Sequence, residues 1–460
     1  MPCIVRASAA DDFLFIRIGV CASGALLYSG ARDGARSRGM PMITRLQRFL
    51  ERLGPGLITG AADDDPSGIA TYSQAGAQFG FGLLWSVFLT TPLMVGIQVV
   101  SARIGCVTGH GIARNIRDHY PRWLLWFIVS ALLVANTINI AADLGAMGEA
   151  LQLVAGGPAH GHALIFGVLA VLMQIFIPYR YLAPILKWLT LTLFAYAGVL
   201  IAVDIPWGKL VAATLIPPLE LTREYLMLLV AVLGTTISPY LFFWQASQEV
   251  EEQRASGGKA LRESYSGTRK HLRRITIDTQ FGMIFSNGIA FAIMLTTAVT
   301  LHTAGIVNIE TSAQAAQALR PIAGNLASAL FAAGIIGTGL LAIPVLAGSA
   351  AYAVAEAMKW PIGLGLEPLE GKGFYSIIAL ATLLGASIDF TPVDPIKALI
   401  ASAVLNGVIA VPIMALMMRM AVRTDIMGPF VIKRRLYRLG WIATTLMGVA
   451  VVAMVVSYFV

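Results

Sequence analysis

The sequence predicts an all-α integral membrane protein of eleven spans, arranged as two groups of five helices with opposite topology and one extra helix. Three observations predict it. Of its 460 residues 57% are hydrophobic and only 13% charged, with a mean hydropathy of +0.74, whereas soluble domains carry roughly 25% charge. Long apolar runs recur along the chain, and Lys and Arg fall between them on alternating sides. The first and the sixth of these runs are each interrupted near the middle by a polar stretch containing proline.

A transmembrane helix needs about 20 apolar residues, and the runs fall at 53–80, 83–107, 123–153, 162–178, 184–205, 225–249, 275–301, 326–358, 374–391, 394–419 and 436–460. The 45 Gly and 21 Pro inside this apolar background suit membrane helices, where neighbours re-satisfy freed backbone groups. Three cysteines, Cys3, Cys21 and Cys106, are too few and too scattered for a metal cluster or a disulfide framework. The net charge of +8 is a matter of topology and not of nucleic-acid binding, because the cations sit between apolar runs and not on one face of a soluble module. Beyond residue 41, 24 Lys and Arg fall on one side of the spans and 4 on the other. That asymmetry makes the N-terminus cytoplasmic and Val460 external, in a multi-pass protein of a bacterial inner (plasma) membrane.

Residues 1–41 fit no span. A short apolar stretch around Phe13–Tyr28 contains Arg17 and is followed by polar Ser29–Arg38, so this segment reads as an N-terminal tail or as an early start, with Met40 or Met42 the working one. The transporter domain then occupies 42–460, with repeat one at 53–205, repeat two at 225–419 and the extra helix at 436–460.

The first span carries Asp63-Asp64-Asp65-Pro66-Ser67-Gly68. Three carboxylates at bilayer depth are unfavourable by about 2.5–3.5 kcal/mol each, so they must face protein, water or an ion. Pro66 removes a backbone donor and Gly68 loosens the chain, so the helix should unwind there and leave free carbonyls beside the acids. Hard cations seek such oxygens. A loop ahead of a short helix is the bland alternative, but the sixth span breaks as well, at Gly234-Thr235-Thr236-Ile237-Ser238-Pro239-Tyr240. Breaks in the first helix of each group of five are the mark of an inverted repeat that binds substrate at its unwound midpoints.

Other polar residues are weaker signals. Asn136, Asn139, Asp143 and Glu149 lie in the third span, and the seven-residue step from Asn136 to Asp143 keeps that pair on one helical face. They suit a proton path or plain interhelical hydrogen bonding. Asn287, Glu356, Asp389, Asp394 and Asn406 divide the same way, with Asp389 and Asp394 flanking Pro392 in a loop. The six His stand in loops or near span ends. No phosphate loop, Gly-x-Ser-x-Gly elbow or His-Glu-x-x-His motif occurs, so an enzyme or a nucleotide-driven pump is not indicated. Residues 249–274 mix both signs of charge and read as a cytoplasmic loop.

At the two breaks the sequence resembles the Nramp (natural resistance-associated macrophage protein) family of proton-coupled importers of divalent metal ions. The likeness runs from about Gly54 to Arg419 and is closest at Gly54-Pro55-Gly56, Asp65-Pro66, Ala70-Thr71, Gln74-Ala75-Gly76, Gln78-Phe79-Gly80, Ala102-Arg103-Ile104-Gly105 and Val107-Thr108-Gly109. It implies the LeuT-type fold. It also implies an ion held by an Asp-Pro-Gly-Asn motif in helix 1 and Ala-x-x-Met-Pro-His in helix 6. Carried onto this chain, the Asp and Pro are Asp65 and Pro66, the Gly is Ser67 and the Asn is Gly68. In helix 6 the Ala becomes Thr235, the Met becomes Ser238, the Pro is Pro239 and the His becomes Tyr240. The family's second helix 6 His aligns with Gln245, a helix 3 Glu with Asn136, and a helix 3 Asp survives as Asp143.

Replacing a thioether by a hydroxyl removes a soft ligand that favours transition metals, while Asp63 and Asp64 add hard oxygens nearby. Mg²⁺ keeps several waters and takes few protein ligands, and such a site suits it, whereas Mn²⁺ also accepts oxygen. The expected function is secondary transport of a divalent cation, of the Mn²⁺/Fe²⁺ type or Mg²⁺. Its metal site is Asp65, Thr235, Ser238, Asp64 and Gly68, and its proton pathway Asp143, Asn136 and Gln245. No cofactor is expected; the partners are the metal ion as substrate, coupled protons and the lipid bilayer, without nucleic acid. The alternatives are a cation-coupled symporter of an amino acid or other small organic substrate, and an ion sensor signalling through 249–274.

Overall fold

The computed structural model describes residues 55–177, 190–263, 268–388 and 394–459. The expected tail at 1–41, the cations Arg180 and Lys187, and the expected loop around Asp389 and Pro392 lie outside them. Every regular element among the described residues is helical.

The first span is two helices, α1 (Pro55–Asp63) and α2 (Pro66–Phe79). Asp65 is the N-cap of α2 in an extended conformation, φ −70° and ψ 171°. The residue before a proline is driven out of the α region by the pyrrolidine ring, and Pro66 then serves as first helical residue, where its missing N–H is harmless. Next come α3 (Leu84–Thr108), short α4 (Ile112–His119), α5 (Arg122–Ala155), α6 (Ala159–Phe176), α7 (Phe194–Ala202) and α8 (Trp207–Leu215). The sixth span repeats the break. Helix α9 (Arg223–Thr236) ends at Ile237, and α10 (Pro239–Ala255) starts with another proline behind an extended Ser238, φ −83° and ψ 133°. Then follow α11 (Thr268–Thr297), α12 (Ala327–Met358), α13 (Lys372–Ile388), α14 (Pro395–Met420) and α15 (Arg434–Val456).

Packing carries the same symmetry. Helices α1 and α2 lie along α11, the second element of the other half, while α10 lies along α3, the second element of its own partner half. The long α5 and α12 run against each other in the middle. Small residues permit the closest approaches, as usual between membrane helices. A Cβ at Gly60 would stand 2.2 Å from the Gly282 carbonyl oxygen, and one at Gly234 would stand 2.1 Å from the Ala403 carbonyl oxygen. Neither position admits alanine without moving a helix.

Within the described residues every expected span contains helix, the fifth only over 190–202, but not all meet a membrane-crossing standard unaided. Among the described residues eight helices are long and apolar enough to cross a bilayer, or nine if a pair bent by 118° around 203–206 counts as one. The first span falls short because its break and three acids divide it, and α13 because its described part is 17 residues long. The expected 249–274 loop is corrected. Helix α10 runs to Ala255 and α11 begins at Thr268, since Glu, Gln, Lys and Arg are good helix formers and the two ends bind each other. Arg274 bonds Glu252 and stands 3.8 Å from Glu249, which is buried.

Candidate functional site

The end of α1 at Asp63 and the unwound residues Asp64 and Asp65 turn their acids in different directions. Asp63 accepts from the Ser286 hydroxyl of α11 at 2.6 Å, and Asp64 accepts from the same hydroxyl at 3.2 Å. A hydroxyl has one hydrogen, so these two carboxylates share it, and Asp63 Oδ1 has no partner. Asp65 points the other way. Its Oδ1 caps α2 by accepting from the Gly68 amide at 2.7 Å and from the Ser67 hydroxyl at 2.8 Å. Its Oδ2 accepts from the Asn139 amide of α5 at 3.0 Å, and Asn139 in turn accepts from Ser402 of α14 at 2.7 Å.

From the second break Tyr240 reaches back. Its single hydroxyl hydrogen lies between the Ala62 carbonyl at 3.2 Å and Asp65 Oδ2 at 3.4 Å. Ser238 is not a side-chain cap; its hydroxyl donates to the carbonyls of Gly234 at 2.9 Å and Thr235 at 2.8 Å. The breaks meet directly at Gly68, where a Cβ would stand 3.2 Å from Thr235 Oγ1. Asp65, Thr235 and Ser238 are all within 2% of complete burial, so this conformation closes the site to solvent.

Asp143 joins the same centre. It is buried near the Ser67 amide and within electrostatic reach of Asp65, yet neither carboxylate oxygen has a hydrogen bond of ordinary geometry. Asn136 and Gln245 stand elsewhere. Asn136 donates to the Leu346 carbonyl and the Ser349 hydroxyl of α12, both at 2.8 Å. Gln245 bonds Gln98 at 3.3 Å and Thr279 at 3.3 Å. Of the residues expected to matter, the structure therefore gathers Asp64, Asp65, Gly68, Thr235, Ser238 and Asp143, and sets Asn136 and Gln245 into interhelical ties. Elsewhere Asn287 donates to Thr91 at 2.8 Å and Glu356 accepts the Gly111 and Arg114 amides at 2.8 and 2.9 Å, bonds that hold helices together.

Four buried carboxylates, Asp63, Asp64, Asp65 and Asp143, thus lie around two breaks, and among the described residues no Lys, Arg or His forms an ion pair with any of them. Buried charge of one sign without a partner calls for a counter-ion. No three acidic, His or Cys side chains among the described residues converge as a ready-made metal cluster. A cation here would draw on one carboxylate together with carbonyl and hydroxyl oxygens. Tyr240, Asn139 and Ser286 complete the centre. Asn139 sits three residues from Asn136 and four from Asp143, so helical spacing was a usable signal, whereas one serine in an apolar run gave none for Ser286.

Comparison with known proteins agrees with this architecture. Residues 56–457 match the model of the Nramp family, natural resistance-associated macrophage protein-like. The divalent metal cation transporter MntH of Klebsiella pneumoniae subsp. pneumoniae is 29% identical over 414 residues, covering 89% of this chain and 92% of that protein. That of Deinococcus radiodurans is 28% identical over 422 residues, covering 90% and 91%. Among solved structures the Eremococcus coleocola manganese transporter superposes with a TM-score of 0.70 at 16% identity, covering 91% of this chain and 90% of that one. Mhp1, a nucleobase-cation-symport-1 family transporter, superposes at 0.54 with 13% identity over 88% and 92%.

Proposed function

The chain belongs to the Nramp family, and from that premise we propose how it works as a secondary transporter of divalent metal cations. The substrate ion binds between the breaks, with the Asp65 carboxylate supplying charge, the Thr235 carbonyl and Ser238 hydroxyl supplying neutral oxygens, and Asp64 adding field. Gly68 leaves room where a longer side chain would press on Thr235. The observation that carries this reading is the group of four buried carboxylates without a basic partner, set where two helices expose backbone oxygens.

All four acceptor directions of a carboxylate are approached on Asp65, but the one facing Tyr240 is only half occupied, because that hydroxyl also serves Ala62. Ion entry displaces the Tyr240 hydroxyl toward Ala62 and leaves the Gly68, Ser67 and Asn139 bonds in place to orient Asp65. The Thr235 carbonyl carries two lone pairs, so it can accept from Ser238 and turn the other to the ion. Alternating access follows from rocking the broken pairs against the α5–α12 body. Coupled protons enter through Asp143, which is buried within electrostatic reach of Asp65 and near the Ser67 amide. The chain sits in a bacterial inner membrane with its cation-rich face in the cytoplasm, by the positive-inside rule.

Without a thioether among the proposed ligands the site favours hard ions, Mg²⁺ together with Mn²⁺. The test is uptake of each ion into proteoliposomes with internal pH followed in the same vesicles. Metal uptake in wild type and its loss in Asp65→Asn support the site; wild-type flux in that variant refutes it. Acidification that accompanies metal in wild type and disappears in Asp143→Asn, with metal uptake persisting, supports coupling through Asp143. Metal uptake without any acidification refutes it.

A further inference from the structure

We propose that a basic cleft on the cation-rich face, remote from the aspartates, binds the phosphate headgroup of an anionic phospholipid. The cleft has a volume of about 990 Å³ and lies between the end of α3, the start of α11 and the segment Phe430–Lys433. Arg103, Arg269, Lys270, Arg273 and Lys433 line it, and none of its lining residues is acidic. Among the described residues none of these five forms an ion pair, and the buried Nε of Arg103 has no hydrogen-bond partner.

The positive-inside rule accounts for the side of the membrane on which these cations stand. It does not account for their convergence on one cavity, nor for three of them in the first turns of a 30-residue helix, whose positive dipole end repels cations. Two neighbours show how the chain treats cations that have protein partners. Arg274, one residue beyond Arg273, is matched by Glu249 and Glu252. A second cleft, of about 430 Å³ and lined by Arg114, Arg117, Arg254 and Lys359, contains its own acid, Glu356. Among the described residues the cleft at α11 has no such acid, which leaves its charge to be met by a bound anion. Guanidinium groups bind phosphate oxygens in pairs.

A lipid fits better than a soluble anion because of what continues above the cations. From Lys270 and Arg273 the same face of α11 runs to Ile277, Phe281 and Ile284, which are 40%, 39% and 56% exposed. A headgroup on the cations would lay its acyl chains along this stripe, at the height where basic pockets between membrane helices hold acidic lipids.

The experiment titrates purified protein in a neutral detergent with short-chain phosphatidylglycerol, short-chain phosphatidylcholine and inorganic phosphate, reading bound ligand by native mass spectrometry. Phosphatidylglycerol should bind on the order of tenfold or more tighter than phosphatidylcholine, with the preference shrinking in high salt. The preference should vanish in K270Q/R273Q/K433Q and persist in the charge-preserving K270R/R273K/K433R. Equal binding of the two lipids by wild type overturns the proposal, as does an undiminished preference in the Gln variant. Inorganic phosphate binding as tightly as phosphatidylglycerol overturns the lipid in favour of a soluble anion. The wild-type comparison decides even if the Gln variant does not fold.

Discussion

At the first break the chain is crowded with charge, and at the second it is nearly bare. At the first break stand three aspartates, Asp63 as the last residue of α1 and Asp64 and Asp65 between the helices, with Asp65 making two hydrogen bonds at the start of α2. Between α9 and α10 stand Ile237 and Ser238, and the serine points its hydroxyl backward at two carbonyls instead of forward as a cap. The same backbone device, an extended residue followed by a proline, thus serves opposite ends. One break concentrates negative charge and the donors that orient it. The other supplies neutral acceptor oxygen. A divalent cation needs both, because charge alone would hold it too tightly to release and dipoles alone would not repay its dehydration.

Breaking that division of labour at its charged side should have the largest effect. Asp65→Asn keeps the shape and removes the charge, and since hydrogen bonds and contacts made by a charged group contribute about 1.5–3 kcal/mol, metal uptake should fall by about 10- to 100-fold. The check is initial-rate flux normalised to protein inserted. Moving the neutral side toward softness comes next. Ser238→Met restores a thioether, and competition between Mn²⁺ and Mg²⁺ should shift toward Mn²⁺ by about tenfold, an unchanged ratio meaning that residue 238 does not touch the ion.

Two smaller changes sharpen the contrast. Ser286→Ala leaves Asp63 and Asp64 without their shared donor, which destabilises the fold by about 1–3 kcal/mol; thermal unfolding in detergent should show it, with metal partly restoring the loss. Tyr240→Phe removes the competitor for the last acceptor position on Asp65. About 1 kcal/mol of hydrogen bonding then no longer opposes the ion, so the apparent KM for metal should drop by about fivefold, and an increase would show that the hydroxyl helps to bind.

The breaks were legible because proline and glycine act on the backbone locally. Asp65-Pro66 and Ser238-Pro239 could be read as interruptions without knowing any neighbour. Partners across helices were not legible in that way. Nothing about Ser286 in its own segment says that two aspartates 222 and 223 positions away converge on it, and Tyr240 could be identified only as a missing His, not as a hydroxyl on Asp65. Helix ends were misjudged for a further reason. Hydropathy marks where the bilayer stops, while Glu249, Glu252 and Arg274 carry α10 and α11 past it. The aligned proton-path residues Asn136 and Gln245 kept their positions in the helices but hold neighbouring helices instead of contacting Asp143.

Helix α11 is unbroken where the first span is broken, and it therefore acts as a splint across a fracture. It grips α1 through the Asp278 carboxylate on the Gly56 amide and the Gly60–Gly282 contact, and it grips α2 at Gly76, where a Cβ would stand 2.1 Å from the Met294 carbonyl oxygen. Any bend at the aspartates must then peel one half of the fracture from the splint or bow α11 between residues 282 and 294. Ser286 lies inside that interval. Its one hydrogen, divided between Asp63 and Asp64, spans the line of such a movement, so a bend at the break and the local charge balance are mechanically one joint.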